Sequence, residues 1–235
     1  MPRNIRQRSE ENIYHIVLKS INSQRIFNED SDFEYFINSF YNSCKDYDVK
    51  IYAYCVMSNH IHLLLRFRDN NLANLFKAFG AKYVPKYNYH HQRTGPLFNG
   101  RYYSKPVNDD KYLLAALRYI HFNPVRAGVC KAPEEYRWSS YAEYMSCRSV
   151  FTDISYIMDI IDGKQFEELH NGNNNSIEDF IIDYRINPNS AGNLKNVGDR
   201  LTEQYSVEEI VEAMKAAGIS KSVISQMLQI DRRSI

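Results

Sequence analysis

The chain has 235 residues, 44% hydrophobic and 24% charged, with a formal charge of +1, a composition that excludes a mainly disordered chain. No apolar run approaches the roughly 18–20 residues that cross a bilayer, and the start, Met1-Pro2-Arg3-Asn4-Ile5-Arg6-Gln7-Arg8, lacks the apolar stretch of a secretory signal, so a cytoplasmic protein without a membrane partner is expected. Cys44, Cys55, Cys130 and Cys147 form no Cys-x-x-Cys pair, which points to reduced thiols rather than zinc or disulfides. The near-neutral total hides a split. The first 145 residues carry 20 Lys and Arg against 14 Asp and Glu, whereas the remainder carries 9 against 14. Aromatic residues are frequent, with 19 Tyr and 12 Phe but one Trp, which suits base stacking and equally a well-filled core.

The length predicts one compact domain with an appendage. Residues 12–19 are rich in β-branched and aromatic residues and predict a strand. Phe33, Phe36, Ile37, Phe40 and Tyr41 recur at helical spacing, with capping candidates between Asn28 and Asp32. Residues 50–57 and 60–67 predict two strands joined by a short Ser58-Asn59 turn. A helix from Leu72 to Tyr87 follows, then an extended segment from Pro96 to Val107 with Gly100 permitting a bend. A third helix runs from Asp109 to Phe122 and is expected to stop before Pro124. The order β-α-β-β-α-β with an added helix matches the ferredoxin-like split βαβ pattern, an α+β fold whose sheet is covered by helices on one side.

Tyr136–Tyr144, with Trp138, is expected to pack back on this domain, giving a boundary near residue 146. Residues 147–200 then predict a linker region with short helices near 153–169 and 177–184, and loops at the Asn-rich stretches 171–175 and 187–193. In the last segment, 201–235, Ser206-Val207-Glu208-Glu209 is a capping box that opens a helix through Ala217. Gly218 ends it, and Ser220 caps a second helix from Lys221 to Leu228.

His60-Ile61-His62 lies within a predicted strand. Alternation sends both histidines to one face and Ile61, Leu63 and Leu65 to the other, so two imidazoles on a rigid strand make half a metal site. Two histidines at this spacing also arise without a metal. Tyr119 and Asn123 stand four apart and so share a helical face. A tyrosine there could serve as a nucleophile if a cation stabilised its phenolate; the alternative is a core tyrosine with an asparagine closing the helix.

These residues sit in blocks that resemble a known family. Tyr52-Ala53-Tyr54-Cys55-Val56-Met57-Ser58-Asn59-His60-Ile61-His62-Leu63-Leu64-Leu65 is similar to the His-hydrophobe-His block of the single-tyrosine HUH transposases, in their REP-associated branch. Tyr14-His15-Ile16-Val17 through Gln24-Arg25-Ile26-Phe27, Arg101 through Val107, and Tyr112-Leu113-Leu114 through Tyr119 to Gly128 agree with the same branch. The resemblance covers about the first 145 residues. It implies a ferredoxin-like nuclease domain for single-stranded DNA, often near a hairpin, and a metal-dependent endonuclease and strand transferase. It further implies His60, His62 and Asn123 as ligands of a divalent ion, Mg²⁺ or Mn²⁺, and Tyr119 as the nucleophile that forms a 5′-phosphotyrosine. A homodimer is implied by the wider group, and nothing in the sequence marks its interface.

Arg101, Lys105, Arg118 and Arg126 flank these blocks as candidate phosphate contacts, with Phe98, Tyr102 and Tyr103 available for stacking. At the C-terminal end, Met214, Gly218, Ile219, Ile224 and Leu228 fall where a helix-turn-helix needs core residues and a turn glycine. Ser220, Lys221, Ser222, Ser225 and Gln226 would then face the major groove of duplex DNA. Acidic Glu208, Glu209 and Glu212 run against a uniformly basic face. A DNA-binding regulator without catalysis and a metal phosphoesterase that uses water are the other readings.

Overall fold

The computed structural model describes residues 8–69, 71–171, 176–186 and 194–235. Four strands, β1 (Ile13–Lys19), β2 (Val49–Val56), β3 (His60–Phe67) and β4 (Tyr103–Val107), form one sheet in the order β2-β3-β1-β4. Every neighbouring pair is antiparallel. Helices α1 (Asp30–Asp46) and α2 (Leu72–His90) separate the strands, and α3 (Asp110–Arg126) follows β4, which is the expected α+β arrangement.

Side-chain alternation divides the sheet into two faces. Tyr14, Ile16 and Leu18 of β1 and Ile61, Leu63, Leu65 and Phe67 of β3 pack with α1 and α2 in one aromatic-rich core. Phe36 sits at its centre, edge-on to Phe27, Phe79 and Tyr83 and stacked on Phe40. Helix α1 begins with a reciprocal cap in which Glu29 accepts from the third helical N–H and Asp32 accepts from Glu29 and Asn28, satisfying donors that a helix start leaves free.

The opposite face is not open. Helix α3 covers it, with His15 and His62 of the sheet meeting Tyr119 of α3. The expectation of helices on one side is therefore corrected: Ala53, Cys55 and Leu64 are also fully buried, because the added helix needs an apolar surface beneath it. A register shift between Ile51 and Ala53 leaves Tyr52 as an extra residue, and its ring stacks on Tyr156 at 4.8 Å. Helix α3 also runs through Pro124 to Arg126 rather than stopping before it. Proline removes one backbone donor, yet the last turn survives because Ala127 N–H donates to the Asn123 carbonyl and Val129 N–H to that of Pro124.

Three short helices follow: α4 (Tyr141–Met145), α5 (Ser155–Met158) and α6 (Gly163–Asn171). Buried polar contacts tie them to the sheet domain. One carboxylate oxygen of Glu143 accepts from the backbone N–H groups of Val150, Phe151 and Thr152 and from the Thr152 hydroxyl. His170 lies 2.9 Å from His121 of α3, whose other ring nitrogen is 2.9 Å from the Ser140 hydroxyl. The first compact unit thus ends at residue 170, beyond the boundary expected near 146, since a buried carboxylate and a buried histidine need their partners.

The second unit starts at residue 171 and contains α7 (Ile177–Ile186), α8 (Leu194–Thr202), α9 (Val207–Ala216) and α10 (Lys221–Leu228). Of the loops expected at 171–175 and 187–193, residue 171 instead closes α6 and the rest lie outside the described residues. The capping box at Ser206 and the Ser220 cap are both formed. Gly218 takes φ +72° between α9 and α10, a conformation that suits glycine. Ile210, Met214, Ile219, Ile224 and Met227 fill the core. Helix α8, which the sequence did not reveal, packs closely against α10: a Cβ at Gly198 would collide with the Met227 carbonyl oxygen.

Candidate active site

The site forms where β3, β1 and α3 meet. Strand alternation aims His60 and His62 at α3, as expected, and the helical repeat places Asn123 one turn after Tyr119. The Asn123 amide bridges the two imidazoles: its Oδ1 is 3.0 Å from His60 Nε2 and its Nδ2 is 3.1 Å from His62 Nε2. The ring of Tyr119 sits 5.4 Å from that of His62 at an interplanar angle of 72°. Tyr119 is only 2% exposed, and the Arg126 guanidinium lies over its ring at 5.1 Å.

A third histidine belongs to the cluster. His15 Nε2 is 3.3 Å from His62 Nδ1, and its ring meets Tyr119 at 5.8 Å. Burial pushes His15 down to about 3 and holds His62 well below its ordinary value, an effect that a proton on His60 would reinforce. Burial also lowers His60. All three are neutral near pH 7, which leaves lone pairs for an ion.

Counting protons assigns the tautomers. The Asn123 amide N–H donates to His62 Nε2, so His62 carries its proton on Nδ1 and donates it to His15 Nε2. His15 must then be protonated on Nδ1, and that atom is buried without a hydrogen-bond partner among the described residues. His60 is over-subscribed. Its Nε2 faces Asn123 Oδ1, and its Nδ1 lies 2.7 Å from Asn59 Oδ1, while a neutral imidazole has one proton. Reversing the Asn59 amide removes the clash; so would a cation held by His60, His62 and the Asn123 oxygen, provided the Asn123 N–H swings off the His62 Nε2 lone pair it now occupies, and His60 would then donate from Nδ1 to Asn59. Two imidazole nitrogens and one amide oxygen therefore fit a divalent ion as part of a coordination shell that water and phosphate oxygens would complete. Among the described residues, no group of three or more His, Cys, Asp or Glu is placed to hold a metal ion, here or elsewhere, so this ligand set depends on the Asn123 amide.

The other candidate residues are dispersed. Arg101 is exposed, and Lys105 is half-buried with its ammonium 4.6 Å from the Tyr112 ring centre. Arg118 is 7% exposed and lies over Phe122, on the side of α3 that carries His121. In the second unit, the Ser220 hydroxyl caps α10, Ser222 accepts from Arg232, and the Ser225 hydroxyl donates to the Ile230 carbonyl at 2.7 Å. Lys221 and Gln226 are exposed on the same helix.

His15, Asn59 and Lys19 are site residues that reading the sequence for function passed over. His15 stood within a recognised block, but only the β1–β3 register, which pairs Val17 with His62 and Lys19 with His60, brings it and Lys19 to the centre. Lys19 is part-buried and its charge helps depress both His60 and His62; the same charge attracts phosphate.

Comparison with known proteins picks out the same part of the chain. Residues 9–123 match the family model described as "Transposase IS200 like". A protein of Haemophilus influenzae to which the name REP-associated tyrosine transposase is provisionally attached is 28% identical over 118 residues, 45% of this chain and 66% of that protein. The chain thus spans just under two thirds of that relative. A solved structure of a REP-associated tyrosine transposase bound to a REP hairpin aligns with a TM-score of 0.54 and 14% identity, covering 62% of this chain and 86% of that one; this is a likeness of fold. Through residues 9–123, just under half of its length, the chain is similar to the IS200-like transposases, with REP-associated tyrosine transposases among the relatives it resembles.

Proposed function

We propose that the chain nicks and rejoins single-stranded DNA beside a hairpin, with Tyr119 as nucleophile. The observation that carries this reading is the convergence of His60, His62 and Asn123 with the Tyr119 ring set against His62. His60, His62 and Asn123 would hold Mg²⁺ or Mn²⁺, and that ion, when bound, would act as a Lewis acid toward the scissile phosphate. Lys19 and Arg126 draw the phosphate to the site and offset its charge.

The Tyr119 oxygen attacks phosphorus, forming a P–O bond to the tyrosine and breaking the bond to the 3′-oxygen. The phenol gives up its proton and the departing 3′-oxygen gains one. A 5′-phosphotyrosine and a free 3′-OH result, and attack by a second 3′-OH reverses these changes without ATP. Because Tyr119 is enclosed by His15, His62 and Arg126, its ring must turn outward when the strand enters. Replacing Tyr119 by Phe keeps the ring and removes the nucleophilic oxygen. Cleavage of a labelled hairpin oligonucleotide is then expected to vanish while its binding persists; cleavage at the wild-type rate would sink the assignment.

Helices α9 and α10 support duplex binding as a second part of the same reading, with Gly218 in the turn and Lys221 and Gln226 exposed on α10. Ser220, Ser222 and Ser225 serve α10 and its flanking turns, so the direct contacts would fall chiefly to Lys221 and Gln226. No helix among the described residues is long and apolar enough to cross a membrane, which accords with action in the cytoplasm. Arg101 and Lys105 would position phosphates in the first unit, and pairing of two copies completes the reading.

A further inference from the structure

A second recess opens between the end of β1, the start of α2 and the segment leading into β4, on the α2 side of the sheet, and it reaches the histidine side through Lys19. It encloses about 280 Å³. Its inner walls are aromatic: Phe76 is buried against the main core, with Phe98 and Tyr102 packed on that core, and the Tyr102 and Phe76 rings are 4.2 Å apart. Its cations, Lys19, Lys77 and Arg101, line the same recess, and Lys77 and Arg101 are exposed. Lys19 belongs to both places, since it lines the recess and pairs with His60 across the sheet.

We propose that this recess binds one unpaired nucleobase of the DNA strand whose neighbouring phosphate occupies the histidine centre. An aromatic interior with cations at the mouth suits a flat base inside and its phosphates outside. A lone anion would gain nothing from Phe76, Phe98 and Tyr102, and a base within a duplex could not leave its stack without the cost of unpairing. The strand path follows: Lys19 contacts the backbone between the held base and the scissile phosphate, and Lys77 and Arg101 take the phosphates on the far side. The segment that forms the wall is itself fixed. Ile21 N–H donates to the Leu97 carbonyl and Asn99 N–H to that of Lys19, so the recess exists before a ligand arrives, which lowers the entropic cost of binding.

This inference rests on the reading of the first unit as a single-strand DNA enzyme. The test uses the full chain and a labelled hairpin oligonucleotide with single-stranded flanks, in which one nucleotide at a time is made abasic. One flank position is expected to lose about tenfold in affinity, the effect of removing one stacked base. With Phe98→Leu, that loss should shrink to within twofold, and with Lys77→Ala plus Arg101→Ala, exposed changes that leave the core intact, the loss should persist while overall affinity falls. Tight binding with a flat abasic profile would overturn the recess and leave the nuclease reading standing. Failure of the wild-type protein to bind any flanked hairpin would overturn both. Competition by a free deoxynucleoside monophosphate at the oligonucleotide's own affinity would place a free nucleotide there and overturn the assignment to the strand.

Discussion

The two faces of strand β3 are built from alternate residues of one eight-residue segment, yet they follow different rules. Ile61, Leu63, Leu65 and Phe67 meet the aromatic core under α1 and α2, where shape and volume decide the outcome. His60 and His62 meet Asn123 on α3, where proton positions decide it. A strand can thus carry reacting groups on rigid backbone without spending its core, because side chains on opposite faces scarcely share neighbours. Change on the first face should cost stability and little chemistry; change on the second should do the reverse.

The sharpest way to break this contrast is to empty the polar face. Replacing His60 and His62 together by Ala is expected to lower hairpin cleavage by on the order of 10³-fold or more, as loss of the charge-stabilising centre implies. Thermal unfolding should move by only a few degrees. An unchanged rate and unchanged response to Mg²⁺ or Mn²⁺ would place the chemistry elsewhere. On the opposite face, Leu63→Ala removes a buried side chain and is expected to cost about 2–5 kcal/mol in urea unfolding, with the cleavage rate per folded molecule nearly unchanged.

Acid sharpens the contrast more gently. Burial holds the folded His170 down to about 4, with Arg118 also disfavouring its charge, whereas its ordinary value is 6.5. The unfolded chain therefore binds more protons between those values. His170 contributes stability that is fully present above pH 6.5 and is lost as pH falls toward 4, on the order of 3 kcal/mol. His121 shares the site, and burial depresses it too. Urea midpoints measured across this window should fall with pH in the wild type, and more shallowly in His170→Gln; parallel curves would remove His170 from the account.

The smallest expected effect concerns His15. His15→Phe fills the same space and removes the buried Nδ1 that has no partner, so stability should hold or rise. It also removes the acceptor that keeps the His62 proton on Nδ1. Divalent-ion affinity measured by calorimetry should then fall by about 10–100-fold, the usual result of losing a group that orients a ligand. Unchanged affinity would reduce His15 to packing.

Much of this architecture is legible in the sequence because it is local. The strand of β-branched and aromatic residues from Ile13, the Phe33–Phe40 spacing and the Ser206 and Ser220 caps each declare an element within a few residues. The pairing of His60 with His62 follows from alternation alone, and Tyr119 with Asn123 from the helical repeat. What stayed hidden depends on register or on distant packing. Helix α3 continuing past Pro124, the second sheet face beneath it, and residues 147–170 held by Glu143 and His121 all arise from contacts between segments far apart in the chain. His15 and Lys19 join the site only because β1 lies beside β3 in one particular register, and a shift of one residue would turn both away.

The central claim is that Tyr119 becomes bonded to DNA. Incubating the protein with a labelled single-stranded hairpin oligonucleotide and Mn²⁺, trapping the products on a denaturing gel and sequencing the adduct by mass spectrometry tests it directly. A phosphodeoxynucleotide on the Tyr119 peptide, matched by release of a fragment ending in a 3′-OH, is the predicted result. Cleavage that leaves a 5′-phosphate on free DNA and an unmodified Tyr119 at every time point would contradict the account and point to water as the nucleophile.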